Sequence, residues 1–102
     1  MARIGLTKTL DAGVKPEQVF EGAQAAFKSL GWEVYKIRQI AYLVEARITI
    51  NDQYILGNII TKIFPSPEIN IIVKSDTASQ ETVEAQANKV LEALEKALAS
   101  KK

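Results

Sequence analysis

Residues 41–75 spell out two hairpins, and these constrain the fold more than anything else in the chain. The segment Ala41–Ile50 (AYLVEARITI) alternates, and so does Gln53–Phe64 (QYILGNIITKIF). A period of two is the signature of a strand with one buried face. Between the segments stand Asn51 and Asp52, residue types that tolerate a two-residue hairpin turn. A second turn, Pro65-Ser66-Pro67, leads into Glu68–Ser75 (EINIIVKS).

The turns predict which residues share a face. A two-residue turn at Asn51-Asp52 sets Ile48 opposite Ile55, Ala46 opposite Gly57, and Val44 opposite Ile59. The other face then pairs Thr49 with Tyr54, Arg47 with Leu56, Glu45 with Asn58, and Leu43 with Ile60. Across the Pro-Ser-Pro turn the expected pairs are Ile63 with Ile69, Thr61 with Ile71, Ile59 with Val73, and Gly57 with Ser75. Both registers send Ile55, Gly57, Ile59 and Ile63 inward. A one-residue slip would bury the wrong set, so the agreement supports these faces. The row Ala46, Gly57, Ser75 carries only small side chains and reads as a shallow groove where a helix approaches the sheet.

The remaining elements follow from period and punctuation. Residues 3–10 (RIGLTKTL) read as a strand with Ile4, Leu6 and Leu10 on one side, ending at Asp11-Ala12-Gly13. Pro16 suits a first helical position, with Glu17 in the first turn. Val19, Phe20, Ala23, Ala26, Phe27 and Leu30 share one helical face, and Gly31 suits the residue just past the end. The first helix is expected over about 16–30. Trp32 to Arg38 reads as a strand turning near Gln39. A three-residue loop there would turn Trp32 and Val34 inward, the arrangement favoured; a two-residue loop would turn Tyr35 and Ile37 inward. The second helix is expected over about 80–98, with Ser79 as N-cap, Lys96 near its end, and Val83, Ala87, Val90, Leu91, Leu94 and Leu98 as its apolar stripe.

The order is strand, helix, four strands, helix. Each helix has one apolar stripe, and the sheet has one strongly apolar face. The expectation is a two-layer α+β domain: an antiparallel sheet of about five strands with both helices on one face. A length of 102 residues fits one domain, with residues 100–102 as a frayed tail.

Composition narrows the function by exclusion. The chain has no Cys and no His, so thiolate sites and the usual near-neutral acid–base group are missing. Without either, a hydroxyl such as Ser75 has no evident base, and the expectation is no enzyme, no metal and no cofactor. A net charge of +1 points to neither nucleic acid nor an anionic membrane. The N-terminus shows no secretory apolar run, and no segment reaches spanning length, so a cytoplasmic location is expected.

The open sheet face is the leading candidate site. Leu43, Ile60 and Ile72 are expected in one row across three strands, with Tyr54, Leu56 and Phe64 nearby. Glu45, Arg47, Lys62 and Lys74 surround them, together with Asn58 and Asn70. A solvated face is usually more uniformly polar. An apolar strip with a charged surround resembles a partner surface, for a second copy or another protein. The plainer account is that Lys and Arg stems cover the strip. Glu45 and Lys74 beside Asn58 read better as a cross-strand charge arrangement than as a polar site. Lys74–Thr77 precedes a helix and could attract an anion, but Asp76 opposes one, so capping and chain reversal explain it better. The alternative site is a pocket between helices and sheet for a small apolar ligand or lipid, lined by Phe20, Phe27, Val90 and Leu94, against the plainer account of a filled core.

Several short motifs carry a resemblance. They are Pro16-Glu17-Gln18-Val19-Phe20 at a helix start, Gly31-Trp32-Glu33-Val34 at a strand start, Glu45-Ala46, Lys74-Ser75 at a strand end, and Asn88 in the last helix. The stretch from Val14 to Leu98 resembles an uncharacterised bacterial family of small domains of unknown function. It departs from that family at Gly57-Asn58, where an acidic doublet is expected, and at Asp76-Thr77, where a Ser-Arg pair is expected. The element order is also similar to half of a TATA-box-binding-protein-like fold and to compact helix-grip domains. The resemblance implies a fold and no activity.

Overall fold

The computed structural model describes residues 2–10, 14–62 and 68–99. Its elements are β1 (Ala2–Thr9), α1 (Pro16–Ser29), β2 (Glu33–Arg38), a 3₁₀ turn (Gln39–Ala41), β3 (Leu43–Ile50), β4 (Gln53–Lys62), β5 (Glu68–Ser75) and α2 (Gln80–Ala99). The strands form one antiparallel sheet in the order β1-β5-β4-β3-β2. Both helices pack on one face and against each other, α1 over β2, β3 and β4 and α2 over β1 and β5. This is the expected two-layer α+β arrangement. The breaks at 11–13 and 65–67, the positions of Ile63 and Phe64, and the tail 100–102 lie outside the described residues. Among the described residues no helix is long and apolar enough to cross a membrane.

The β3–β4 hairpin pairs as its turn predicts, from Ile50 with Gln53 to Leu43 with Ile60. Asn51 and Asp52 both have positive φ, 50° and 64°, as a primed two-residue turn requires. The β4–β5 register is corrected by two residues. Gly57 lies opposite Val73, Ile59 opposite Ile71, Thr61 opposite Ile69, and Leu56 opposite Lys74. A two-residue shift keeps every side chain on its face, so the hydrophobic pattern cannot tell the two registers apart. What distinguishes them is the start of β4. The Ser75 hydroxyl donates to the Tyr54 carbonyl at 2.6 Å, and the Tyr54 N–H donates to Thr77 Oγ1 at 3.1 Å. Side chains thus stand in for a further pair of ladder bonds, and β5 ends there. Ser75 Oγ also accepts the N–H groups of Thr77 (3.2 Å) and Ala78 (2.9 Å), which turns the chain toward α2. This confirms chain reversal as the job of these residues. Ser79 then caps α2, accepting the Thr82 N–H at 3.2 Å.

The small-residue row is therefore Ala46–Gly57–Val73, and an indole fills the hollow above it rather than a helix. Helix α1 ends with Gly31 at φ +83°, the left-handed position. The Gly31 N–H donates to Lys28 O (3.1 Å) and the Trp32 N–H to Phe27 O (2.9 Å), the paired bonds of a Schellman ending. That geometry turns Trp32 back onto Phe27, with ring centroids 5.2 Å apart, and into the core at 4% exposure. Trp32 and Val34 face inward as favoured, but not because of a three-residue loop. Arg38 pairs with Leu43, and a bulge at Tyr35 separates the Val34–Ala46 and Lys36–Glu45 pairs. The extra residue resets the alternation, so Val34 and Ile37 both point to the helix side. Tyr42, at φ 49°, closes the connection and rests its ring edge-on against Phe20.

Candidate functional site: the open sheet face

The face away from the helices is built in rows by the registers. One row runs Glu33, Arg47, Leu56, Lys74, Arg3 across all five strands. The next runs Lys36, Glu45, Asn58, Ile72, Gly5, and the third Arg38, Leu43, Ile60, Asn70, Thr7. Ile72 therefore sits opposite Asn58, not Ile60, and the expected row of Leu43, Ile60 and Ile72 is corrected to two adjacent rows. The shifted β5 register is the cause. All eight expected interface residues, Leu43, Arg47, Tyr54, Leu56, Ile60, Lys62, Ile72 and Lys74, still lie on this face. Leu43, Leu56, Ile60 and Ile72 are half-buried among their neighbours' side chains, and Tyr54 is 42% exposed.

Most of the surrounding charges are paired locally. Arg47 donates to both carboxylate oxygens of Glu33, Nε at 3.2 Å and Nη2 at 3.1 Å, with its guanidinium 5.2 Å from the Tyr35 ring centre. Hydrogen bonding to Arg47 holds the Glu33 carboxyl below its usual pKa, and Glu33 in turn pushes that of Arg47 up. Burial raises the pKa of the Tyr35 phenol. Glu45 lies 3.9 Å from Lys36, and Lys62 lies 4.0 Å from Glu68. Glu45 and Lys74 do not meet around Asn58, since Lys74 stands opposite Leu56. Among the described residues, Lys74 and Arg3 have no ion pair. In the middle of the face, Asn58 Oδ1 and Asn70 Nδ2 are buried without a hydrogen-bond partner among the described residues, while Asn70 Oδ1 accepts from Thr7 at 2.8 Å. A hollow of about 360 Å³ lies beside Tyr54, over Leu56, Lys74 and Thr77.

The alternative lining residues lie in the opposite layer. Phe27, Val90 and Leu94 retain no accessible surface, and Phe20 is half-buried. Residues around a void that admits water would keep some. Among the described residues, Trp32 Nε1 and Thr61 Oγ1 in this layer are also buried without partners. Sequence reasoning missed the outer strand: Tyr35 (44%), Ile37 (48%) and Ile40 (100%) are all exposed. The signal was present in VYKIRQI, which has more apolar residues than one buried face of an edge strand can hold.

The sequence matches no protein-family model and no curated protein. Among solved structures, that of Ara h 8.0201 aligns over 97% of this chain and 99% of its own, with a TM-score of 0.55 and 11% identity. At that identity the likeness is one of fold alone.

Proposed function

We propose that this protein is a non-enzymatic binding or assembly module that contacts another polypeptide through the open face of β3, β4 and β5. One observation carries the reading. Among the described residues no element covers this face, yet four aliphatic side chains and Tyr54 occupy it, bordered by charges that mostly neutralise one another. Such a face loses little in desolvating its rim and gains by burying its centre. The test is association measured by light scattering, with Ile60→Asp as the variant. Loss of association in a folded Ile60→Asp supports the reading. Association that Ile60→Asp leaves unchanged contradicts it. So does a wild type that neither associates nor binds a hydrophobic dye sensitive to Ile60→Asp.

A second reading is a carrier of a small apolar ligand between helices and sheet. What favours it is the pair of unpartnered polar atoms, Trp32 Nε1 and Thr61 Oγ1, which a ligand with a polar group could satisfy. Phe27, Val90 and Leu94 would have to part to admit it. Native mass spectrometry showing a small molecule at defined stoichiometry supports this reading; a protein that stays empty after incubation with fatty acid overturns it.

A further inference from the structure

We propose that two copies of this chain join edge to edge through β2, continuing the sheet across a two-fold axis normal to it. The inference stands on β2 and is independent of the open-face reading. The two edges of the sheet are treated differently. At the β1 edge the Gln80 carboxamide takes the place of a neighbouring peptide: the Arg3 N–H donates to Gln80 Oε1 at 3.2 Å, and Gln80 Nε2 donates to Arg3 O at 2.9 Å. Lys8 is further tied to Glu95 of α2. Among the described residues, nothing similar covers the backbone of β2. Among the described residues, three of the four exposed large apolar side chains, Tyr35, Ile37 and Ile40, lie on β2 or directly after it. An uncovered edge is a template for another strand.

The residues of β2 select a second copy as that strand. Antiparallel pairing that sets Glu33 against Arg38 of the other copy also sets Val34 against Ile37 and Tyr35 against Lys36, and the two-fold axis repeats each match. The pairs are an ion pair, an aliphatic contact and a cation beside an aromatic ring. Arg38 has no ion pair in its own chain among the described residues, so it is free to make one.

The bulge permits this register. A two-fold axis normal to the sheet keeps each face on its own side, so paired residues must come from the same face. In an unbulged strand Glu33 and Arg38 would lie on opposite faces, and so would Val34 and Ile37. The extra residue at Tyr35 puts Glu33, Lys36 and Arg38 on the open face and Val34 and Ile37 on the helix side, as their β3 partners show. The matched charges then share one face and the matched aliphatics the other.

The test is a charge-reversal pair read by sedimentation equilibrium, with circular dichroism confirming that each variant is folded. The wild type should dimerise with concentration. Arg38→Glu and Glu33→Arg should each weaken the dimer about tenfold or more, because each places like charges opposite at both ends of the edge. An equimolar mixture of the two variants should restore association, since a mixed dimer has opposite charges at both ends. A wild type that stays monomeric overturns the proposal, and would mean that the bulge and Lys36 shield the edge instead. So would association that neither reversal weakens. Ile60→Asp should leave the edge dimer intact, which separates failure here from failure of the open-face reading.

Discussion

Gly57→Ala is the substitution that probes most sharply how this fold is held. A Cβ at Gly57 would lie 2.8 Å from Trp32 Cζ3, 3.2 Å from Cη2 and 3.5 Å from Phe27 Cε1. The first distance is well inside van der Waals contact, so the indole must move. It has little room, because the Schellman bonds at Gly31 and Trp32 fix its backbone and Phe27 backs its ring. Overpacking of this kind costs about 1–3 kcal/mol. The alanine returns roughly 0.5–1 kcal/mol by restricting the unfolded chain. The net expectation is a loss of roughly 1–2 kcal/mol, equivalent to a fall in Tm of about 4–8 °C per kcal/mol at this size. Trp32 is the only tryptophan, so urea unfolding followed by its fluorescence reports on the site itself. The control is the same substitution in a Trp32→Phe background, with unfolding followed there by circular dichroism, where the smaller ring leaves space and Gly57→Ala should cost nothing. Wild-type stability and unchanged emission in the single variant would refute the packing argument. Equal costs in the two backgrounds would locate the strain elsewhere.

Two further outcomes follow from hydrogen bonds and charge. Ser75→Ala removes a buried hydroxyl that serves the Tyr54 carbonyl and the N–H groups of Thr77 and Ala78, and should cost about 1–3 kcal/mol, with faster exchange of the Ala78 amide by hydrogen exchange. The Glu33 carboxyl, lowered below its ordinary value of 4.5 by Arg47, binds fewer protons in the folded than in the unfolded chain as pH falls. Its contribution is therefore present above that value and lost on acidification through the folded pKa. The urea midpoint of Glu33→Gln should fall less steeply than that of the wild type between pH 5 and pH 3, a window taken roughly around the unfolded carboxyl.

What could be read from the sequence depended on whether a local device specified it. The Asn51-Asp52 turn is short enough to leave one register, and β3 and β4 pair accordingly. The longer connection before β5 leaves registers two residues apart equally compatible with the pattern. The one used depends on Ser75 and Thr77 reaching back to Tyr54, a tertiary contact that no periodicity announces. Faces survived that error and rows did not, which is why Ile72 is on the expected surface beside an unexpected neighbour. Gly31 was legible as a helix ending, but the face of Trp32 was made to depend on the loop near Gln39, and neither the Schellman bonds that turn Trp32 inward nor the bulge at Tyr35 that reconciles Trp32, Val34 and Ile37 was legible. Alternation in Ala2–Thr9 shows which side chains of β1 are buried and says nothing of its neighbour, which is β5. The exposed edge at Tyr35, Ile37 and Ile40 was missed for the same reason: exposure at an edge depends on strand order.

The open face of β3, β4 and β5 is proposed as a contact surface. Its most direct test is solution mass by light scattering across a concentration series, for the wild type and Ile60→Asp, at an ionic strength that screens rim charges. Ile60 is half-buried on the face away from the helices, so the aspartate should leave the circular dichroism spectrum and Tm close to those of the wild type. Association through this face should be lost in a folded Ile60→Asp. An Ile60→Asp that unfolds would place Ile60 in the core, and one that associates as the wild type does would remove the open face from the contact; either result overturns the open face as a contact surface.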